Sequence, residues 1–153
     1  GVEIQNSGHN NLYENFTIKQ TSSLKKLLKF LLRNYKINYK NVLGHSDISP
    51  NRKKDPGEKF PWEFLSENKL AQWHSLNKHK LKQNRYKGLT IKEKKEFLIN
   101  LYRFGYNKIE KMKKSQNNKF LIKSFQRRFR QEIVNGIVDK ECLLIIKDLT
   151  SKR

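Results

Sequence analysis

Hydrophobic residues recur at helical spacing in several stretches of the chain. The clearest stretch is residues 17–33, where leucines fall on one face and basic residues on the other: Leu24, Leu27, Leu28, Leu31 and Leu32 against Lys25, Lys26, Lys29 and Arg33. Such a stripe is typical of a helix that packs one side against a core. Thr17 and Gln20 match a capping box at its start. The pattern therefore predicts an amphipathic helix that serves as scaffold.

Three further helices are predicted in the C-terminal half of the chain. Thr90 and Glu93 form a second capping box, and Gly105 is suited to end the helix that follows. The next helix carries large apolar residues at four-residue steps, at Leu121, Phe125 and Phe129. Asp139 is a good N-terminal cap for a last helix that runs through Leu149. We expect the aromatic residues of these helices to form a core rather than to contact a ligand.

Two short segments have strand patterns instead. Apolar and polar residues alternate in residues 1–5, which predicts a strand with Val2 and Ile4 facing inward. Val42 and Leu43 form a short apolar run before a loop rich in turn residues, and they predict a second strand. Together with the helices, these segments predict an α/β fold, a mixed sheet with packed helices, followed by a small three-helix all-α domain.

Charge is the most unusual feature of the composition. The 153 residues carry 34 Lys and Arg against 14 Asp and Glu, a net charge of +20. Such a field attracts polyanions, nucleic acid among them, although abundant Lys, Asn and Ile are also typical of an A+T-rich genome. The longest apolar run, residues 142–146, is too short to span a bilayer. Cys142 is the single cysteine, which excludes an internal disulfide and predicts a buried reduced thiol.

The loop from Gly44 to Gly57 holds the candidate chemistry. His45 and Asp55 stand near its two ends, so an imidazole and a carboxylate can converge on one point. Zinc accepts that ligand pair, and a catalytic zinc leaves one position open to water. Lys53 would face the same side as Asp55 on an extended segment, where a cation could stabilise an oxyanion. The alternative is structural, with His45 capping a strand and Asp55 capping a turn.

The same loop carries a resemblance to a known family. Its residues, Gly-His-Ser-Asp-Ile-Ser-Pro-x-Arg-Lys-x-Asp-Pro-Gly, continue into Phe60-Pro61-Trp62. This run resembles the motif of zinc-dependent N-acetylmuramoyl-L-alanine amidases of the AmpD/AmiD type. Residues 1–4, Gly-Val-Glu-Ile, and residues 8–9, Gly-His, fit the same family. A chance match over so many spaced positions is improbable.

The resemblance implies roles for individual residues. His45 and Asp55 match the second and third zinc ligands of the family. Glu3 matches the base that assists the attacking water, and Lys53 would stabilise the oxyanion. His9 falls in a loop that does not bind the metal in such amidases. The family's first histidine ligand has no counterpart in this sequence, so the chain is expected to be the C-terminal portion of an amidase, weak in zinc binding and in activity by itself.

The resemblance also implies a division of the chain. Residues 1–73 would be the C-terminal part of the catalytic domain, residues 74–89 a basic linker, and residues 90–153 a peptidoglycan-binding-like helical domain. The implied function is hydrolysis of the amide bond between N-acetylmuramic acid and L-alanine, with Zn²⁺ as cofactor. Peptidoglycan or its muropeptide fragments would be the partner, in a bacterial periplasm or cell envelope. A non-catalytic peptidoglycan-binding fragment is the alternative, ahead of a basic nucleic-acid-binding protein.

Overall fold

The computed structural model describes residues 1–107 and 113–151, and within them the regular structure is helical. The 90–153 domain of the sequence-based division therefore includes residues, 108–112 and 152–153, that lie outside the described part. The helices are α1 Ile18–Asn34, a short 3₁₀ helix Tyr39–Asn41, α2 His45–Ile48, α3 Trp62–Glu67, α4 Lys78–Asn84, α5 Ile91–Phe104, α6 Lys114–Phe129 and α7 Lys140–Ser151.

The helix boundaries predicted from capping residues are confirmed. Thr17 and Gln20 form the capping box of α1, and Thr90 and Glu93 form that of α5. Gly105 ends α5 with a φ of 123°, a backbone conformation that favours glycine. Asp139 caps α7, because its Oδ1 accepts from the Cys142 amide at 3.0 Å. These local signals therefore position the helix ends correctly.

The α/β prediction is wrong, because the described residues contain no strand and no sheet. A strand needs a neighbour that pairs with its peptide groups, and here those groups have other partners. The Val42 amide donates to Tyr39 O at 3.3 Å, and its carbonyl accepts from Arg128 Nη2 at 3.0 Å. The Gln5 carbonyl accepts from the Gln20 side chain at 2.7 Å. The peptide groups of Val42 and the carbonyl of Gln5 thus bond to a turn and to side chains instead of to a ladder.

Two hydrophobic clusters make up the core. The first joins α1 to the segment from residue 60 to residue 71 and includes Leu24, Leu28, Phe60, Trp62, Leu65, Leu70 and Ala71. The second joins the C-terminal helices through Phe97, Leu101, Leu121, Phe125, Phe129, Ile145, Ile146 and Leu149. Trp73 packs against both clusters. Phe125 and Phe129 of α6 lie in the core, as predicted, whereas Phe120 is exposed, and Cys142 is a buried free thiol.

The basic stretch between the two clusters is partly helical. Residues 78–84 form α4, which Asn77 caps by accepting from two amides. Leu81 is buried in the second cluster, and Arg85 forms an ion pair with Glu141 on α7. The sequence predicts a basic linker here, and the structure shows that Leu81 and Arg85 attach the segment to the C-terminal helices. The proposed domain boundaries stay a prediction.

None of the helices in the described residues is long and apolar enough to cross a membrane.

Candidate active site

His45 and Asp55 lie together. His45 is the first residue of α2, and its Nδ1 is 3.0 Å from Asp55 Oδ2. About half of the His45 side chain and 61% of the Asp55 side chain are exposed. An imidazole nitrogen and a carboxylate oxygen that face solvent at this distance can bind one cation or share one proton. The structure therefore brings together the two residues that the sequence predicted as zinc ligands.

The backbone joins the two ends of this loop as well. The Ser46 amide donates to the Asp55 carbonyl at 2.9 Å, so the peptide groups beside the two side chains are bonded directly. Gly44 allows the close approach, because a Cβ there would lie 2.7 Å from Pro56 Cδ. The Asp55–Pro56 peptide is cis. The convergence of His45 and Asp55 is therefore built into the backbone and does not depend on the side chains alone.

A tyrosine from the N-terminal loop holds the segment that follows Asp55. The Tyr13 hydroxyl donates to the Pro56 carbonyl at 2.7 Å and accepts from the Lys59 amide at 3.0 Å. Burial raises the pKa of this hydroxyl to about 12, so it keeps its proton for donation. His9 stacks on Tyr13 with ring centroids 4.4 Å apart, and its Nε2 pairs with Glu58 at 2.9 Å. His9 thus contacts this segment through Tyr13 and Glu58.

On the other side of α2, Asp47 is the centre of a buried polar cluster. Its carboxylate accepts from the Gly44 amide at 2.8 Å, from the Tyr106 hydroxyl at 2.6 Å and from Arg128 Nη1 at 2.7 Å. Burial, and after it the Asp47 charge, raises the pKa of Tyr106 well above its ordinary value. Ser124 adds a bond to the carbonyl of Ser46 at 2.6 Å. The C-terminal helices therefore contact the turn directly after His45.

Among these C-terminal residues, Arg128 bonds to the partner that is farthest away in the sequence, Val42. Besides Asp47, it donates to the Val42 carbonyl at 3.0 Å, and its guanidinium lies 4.2 Å from the centre of the Trp62 ring. The side chains of Arg128 and Asp47 are 3% and 7% exposed, so the ion pair is almost completely desolvated. Removing one partner of such a pair costs far more than the pair contributes, because the other charge stays buried.

The sequence did not single out Asp47, Tyr106, Ser124 or Arg128. A signal was present in α6, where residues 125, 128 and 129 follow the spacing of one helix face and place an arginine between two buried phenylalanines. A charged residue on an apolar face indicates a buried partner. The identity of that partner, 81 residues earlier in the chain, had no local signal.

The donor types of His45 and Asp55 fit a zinc ion. Zinc is bound in proteins by histidine nitrogen and carboxylate oxygen, and a catalytic site uses three protein ligands. Among the described residues, no group of three His, Cys, Asp or Glu side chains is arranged to hold a metal. The described residues therefore fit two of the three protein ligands that a catalytic zinc site uses.

Glu3 and Lys53 are both exposed. The Lys53 amide donates to Ser49 O at 2.9 Å, which places its backbone in the turn after α2 and inside the loop that joins the two candidate ligands. Glu3 precedes Ile4, which packs against the first hydrophobic cluster. The structure thus fixes the backbone near both residues and leaves both side chains accessible to solvent.

The comparison with protein families gives one match to this part of the chain. Residues 1–58 match the N-acetylmuramoyl-L-alanine amidase family. Over 99% of its length, the chain is 29% identical to the N-acetylmuramoyl-L-alanine amidase AmiD of Escherichia coli. Over 43% of its length, it is 41% identical to the 1,6-anhydro-N-acetylmuramyl-L-alanine amidase AmpD of Haemophilus influenzae.

Solved structures give the same relationship. AmiD from E. coli, in complex with anhydro-N-acetylmuramic acid-L-Ala-D-gamma-Glu-L-Lys, matches 97% of this chain with a TM-score of 0.77 and 28% identity, over 57% of its own chain. AmpDh3 from Pseudomonas aeruginosa matches 92% of this chain with a TM-score of 0.76 and 30% identity, over 55% of its own chain. A likeness of this extent covers both hydrophobic clusters.

The chain spans about half the length of AmiD and of AmpDh3, and 35% of the length of AmpD. The family match covers the candidate ligand pair, while the AmiD match continues through the C-terminal helices. Residues 1–58 therefore match the N-acetylmuramoyl-L-alanine amidase family, and the chain is similar to amidases of the AmpD/AmiD type.

Proposed function

We propose that the chain acts in a peptidoglycan amidase that hydrolyses the amide bond between N-acetylmuramic acid and L-alanine. The observation that supports this most directly is the convergence of His45 and Asp55, 3.0 Å apart, within the residues that match the amidase family. Two structures similar to this one hold anhydromuramic peptides, which makes muropeptides the first substrates to test. The relatives are bacterial, so we propose the bacterial cell envelope as its location.

His45 and Asp55 would hold the zinc ion in this proposal. When bound, zinc supplies a Lewis acid for the amide carbonyl and for water. Both side chains face solvent, which leaves room for a substrate as well as for a further ligand. We infer that such a third ligand comes from outside the described residues, because none of them joins the pair.

Glu3 and Lys53 are the proposed catalytic residues. Glu3 would accept the proton from the attacking water, and Lys53 would stabilise the negative charge that develops on the carbonyl oxygen. Lys53 lies on the loop between the two ligands, so its ammonium group can reach the space in front of them. Both side chains are exposed, so a substrate can reach them.

The Lys53 role is tested by Lys53→Ala beside Lys54→Ala, in the full-length polypeptide with release of peptide from sacculi as the assay. Both lysines are exposed and adjacent, so the net charge changes equally. Loss of an oxyanion-stabilising group lowers kcat by roughly 100-fold, and we expect this for Lys53→Ala with KM little changed. Equal turnover of the two variants would contradict the assignment.

Zinc content after dialysis tests the ligand pair. Because the described residues supply two ligands, we expect residues 1–153 by themselves to retain zinc poorly and to release little peptide. His45→Ala should abolish the remaining binding, whereas His79→Ala, on the exposed face of α4, should not. Stoichiometric zinc in the unmodified chain would mean that a third ligand lies within it.

A pull-down on purified sacculi, run beside a DNA gel shift, separates this proposal from the nucleic-acid alternative that the net charge of +20 raises. Binding through phosphates weakens steeply with salt. We expect sacculus binding to persist at salt concentrations that release DNA. Tight DNA binding with no retention on sacculi would refute the amidase proposal.

A further inference from the structure

The turn that carries His45 cannot hold its position by itself. Helix α2 spans four residues, His45–Ile48, which is a single turn. One helical turn fixes several backbone torsions for very few hydrogen bonds and is unstable in isolation. Contacts from other parts of the chain must therefore hold α2 in place.

Those contacts come from the C-terminal half of the chain and meet the two residues directly after His45. Ser124 donates to the Ser46 carbonyl at 2.6 Å. Tyr106 and Arg128 donate to the Asp47 carboxylate at 2.6 Å and 2.7 Å. Ser46 in turn donates its amide to the carbonyl of Asp55. Hydrogen bonds from α6 thus reach Ser46, and the Ser46 amide makes the hydrogen bond that joins the two candidate ligand segments.

Arg128 also fixes where the chain enters the turn. Its second terminal nitrogen bonds to the Val42 carbonyl at 3.0 Å, and its plane lies over Trp62. One guanidinium therefore bonds the residues on both sides of Gly44 and His45. This bidentate geometry suits arginine and cannot be reproduced by lysine, which has a single point charge.

We propose that Arg128, with Tyr106 and Ser124, positions His45 against Asp55, so that the C-terminal helices are part of the catalytic architecture. This inference depends on the proposed function and assigns the C-terminal helices a role beyond the peptidoglycan binding that the sequence predicts for them. Arg128 is a positioning residue here, because it acts on His45 through Asp47 and Val42 and does not touch the site itself.

The chain offers a matched control at the end of the same helix, where Arg130 is the C-cap residue. Arg130 lies two residues later, and its side chain is 1% exposed and paired with Asp139 at 2.8 Å, away from α2. Arg128→Met and Arg130→Met therefore remove the same charge at equal burial, but only the first removes contacts to the turn after His45. Arg128→Lys tests whether one ion pair without the second bond is enough.

The first readout needs no metal. Exchange of the Ser46 amide, measured by NMR in the full chain, reports on the bond between the two ligand segments. We expect Arg128→Met to accelerate it at least tenfold relative to the amides of α5, and Arg130→Met to leave that ratio unchanged. Should Arg128→Met fail to fold, Ser124→Ala removes one neutral bond, for which we expect roughly 3- to 10-fold faster exchange.

The second readout is Zn²⁺ affinity, measured by competition with a chromophoric chelator, together with the visible spectrum of Co²⁺ in the same site. Loss of a residue that orients a metal ligand weakens binding by about 10- to 100-fold. We expect this for Arg128→Met, a smaller loss for Arg128→Lys, and wild-type affinity for Arg130→Met. A changed Co²⁺ spectrum would show altered ligand geometry, which general destabilisation does not produce.

The outcomes separate the two proposals. Unchanged relative exchange of Ser46 in Arg128→Met, or equal effects of Arg128→Met and Arg130→Met, overturns the positioning role. Absence of Zn²⁺ binding and of peptide release in every preparation of the full-length polypeptide, the unmodified one included, overturns the proposed function instead.

Discussion

We expect Asp139→Ala to destabilise the protein more than Asp139→Asn, because Asp139 is both a helix cap and one half of a buried ion pair. Its Oδ1 accepts from the Cys142 amide at the start of α7, and its Oδ2 pairs with Arg130 at 2.8 Å. Oδ2 also accepts from the Tyr86 amide at 3.2 Å. Asp139→Asn removes the ion pair and keeps the helix cap, whereas Asp139→Ala removes both.

Asparagine keeps the cap, since Asn and Asp are about equally good at that position. It removes the charge that compensates Arg130, and an uncompensated buried charge costs about 3–5 kcal/mol. Glu141 Oε2 lies 3.8 Å from the same guanidinium, so part of the compensation remains and we expect about 3 kcal/mol. Alanine removes the cap as well, which adds about 1 kcal/mol.

Urea unfolding followed by circular dichroism measures both differences, and thermal unfolding should show a decrease in Tm of roughly 10 °C for Asp139→Ala. The control is Glu96→Gln, which removes an exposed ion pair with Lys147 and should cost less than about 1 kcal/mol. If Asp139→Asn cost no more than this control, the buried ion pair would not stabilise the fold and the reasoning would be refuted.

Three further results are expected. Gly57→Ala should lower both stability and zinc affinity, because a Cβ there would collide with the Tyr13 hydroxyl and Gly57 has a φ of +80°. Burial raises the pKa of Cys142 to about 12. At pH 8, iodoacetamide should therefore alkylate this thiol far more slowly in the folded protein than in urea. The stability that the neutral thiol contributes should be lost as pH rises from 9 toward 12. The hydrogen bond from Lys140 lowers the pKa of Glu93 to about 2. The contribution of Glu93 to folding stability is therefore present above pH 4.5 and lost as pH falls toward 2. Glu93→Gln should make the decrease of stability in acid less steep.

The first of these has a control within the chain. Gly136→Ala has nearly the same φ, +79°, but its Cβ would meet only flexible lysine side chains, so zinc affinity should not change. Equal zinc affinity in the Gly57 and Gly136 variants would contradict the first expectation. Rapid alkylation of native Cys142 would contradict the second. An acid limb that is equally steep in Glu93→Gln and in the unmodified protein would contradict the third.

The sequence by itself determined helices α1, α5, α6 and α7 and several of their ends. The capping residues bond to groups only a few positions away in the sequence, so their effect on a helix end does not depend on tertiary contacts. They are Thr17, Thr90, Gly105 and Asp139. The apolar spacing of α1 and α6 likewise identified the faces that lie in the core. The loop motif indicated that His45 and Asp55 meet, and the structure brings them together, while their zinc role stays a prediction.

The tertiary structure alone decided what depends on residues far apart in the chain. An alternating pattern predicts a strand only if a neighbouring strand pairs with it, and Val42 bonds to Arg128 instead. The basic segment around Leu81 is held by tertiary contacts, because Leu81 packs into the second hydrophobic cluster and Arg85 pairs with Glu141 on α7. The Asp47–Arg128 ion pair joins positions 81 residues apart. No local pattern specifies such a partner, because the energy of a buried charge depends on what the completed fold places beside it.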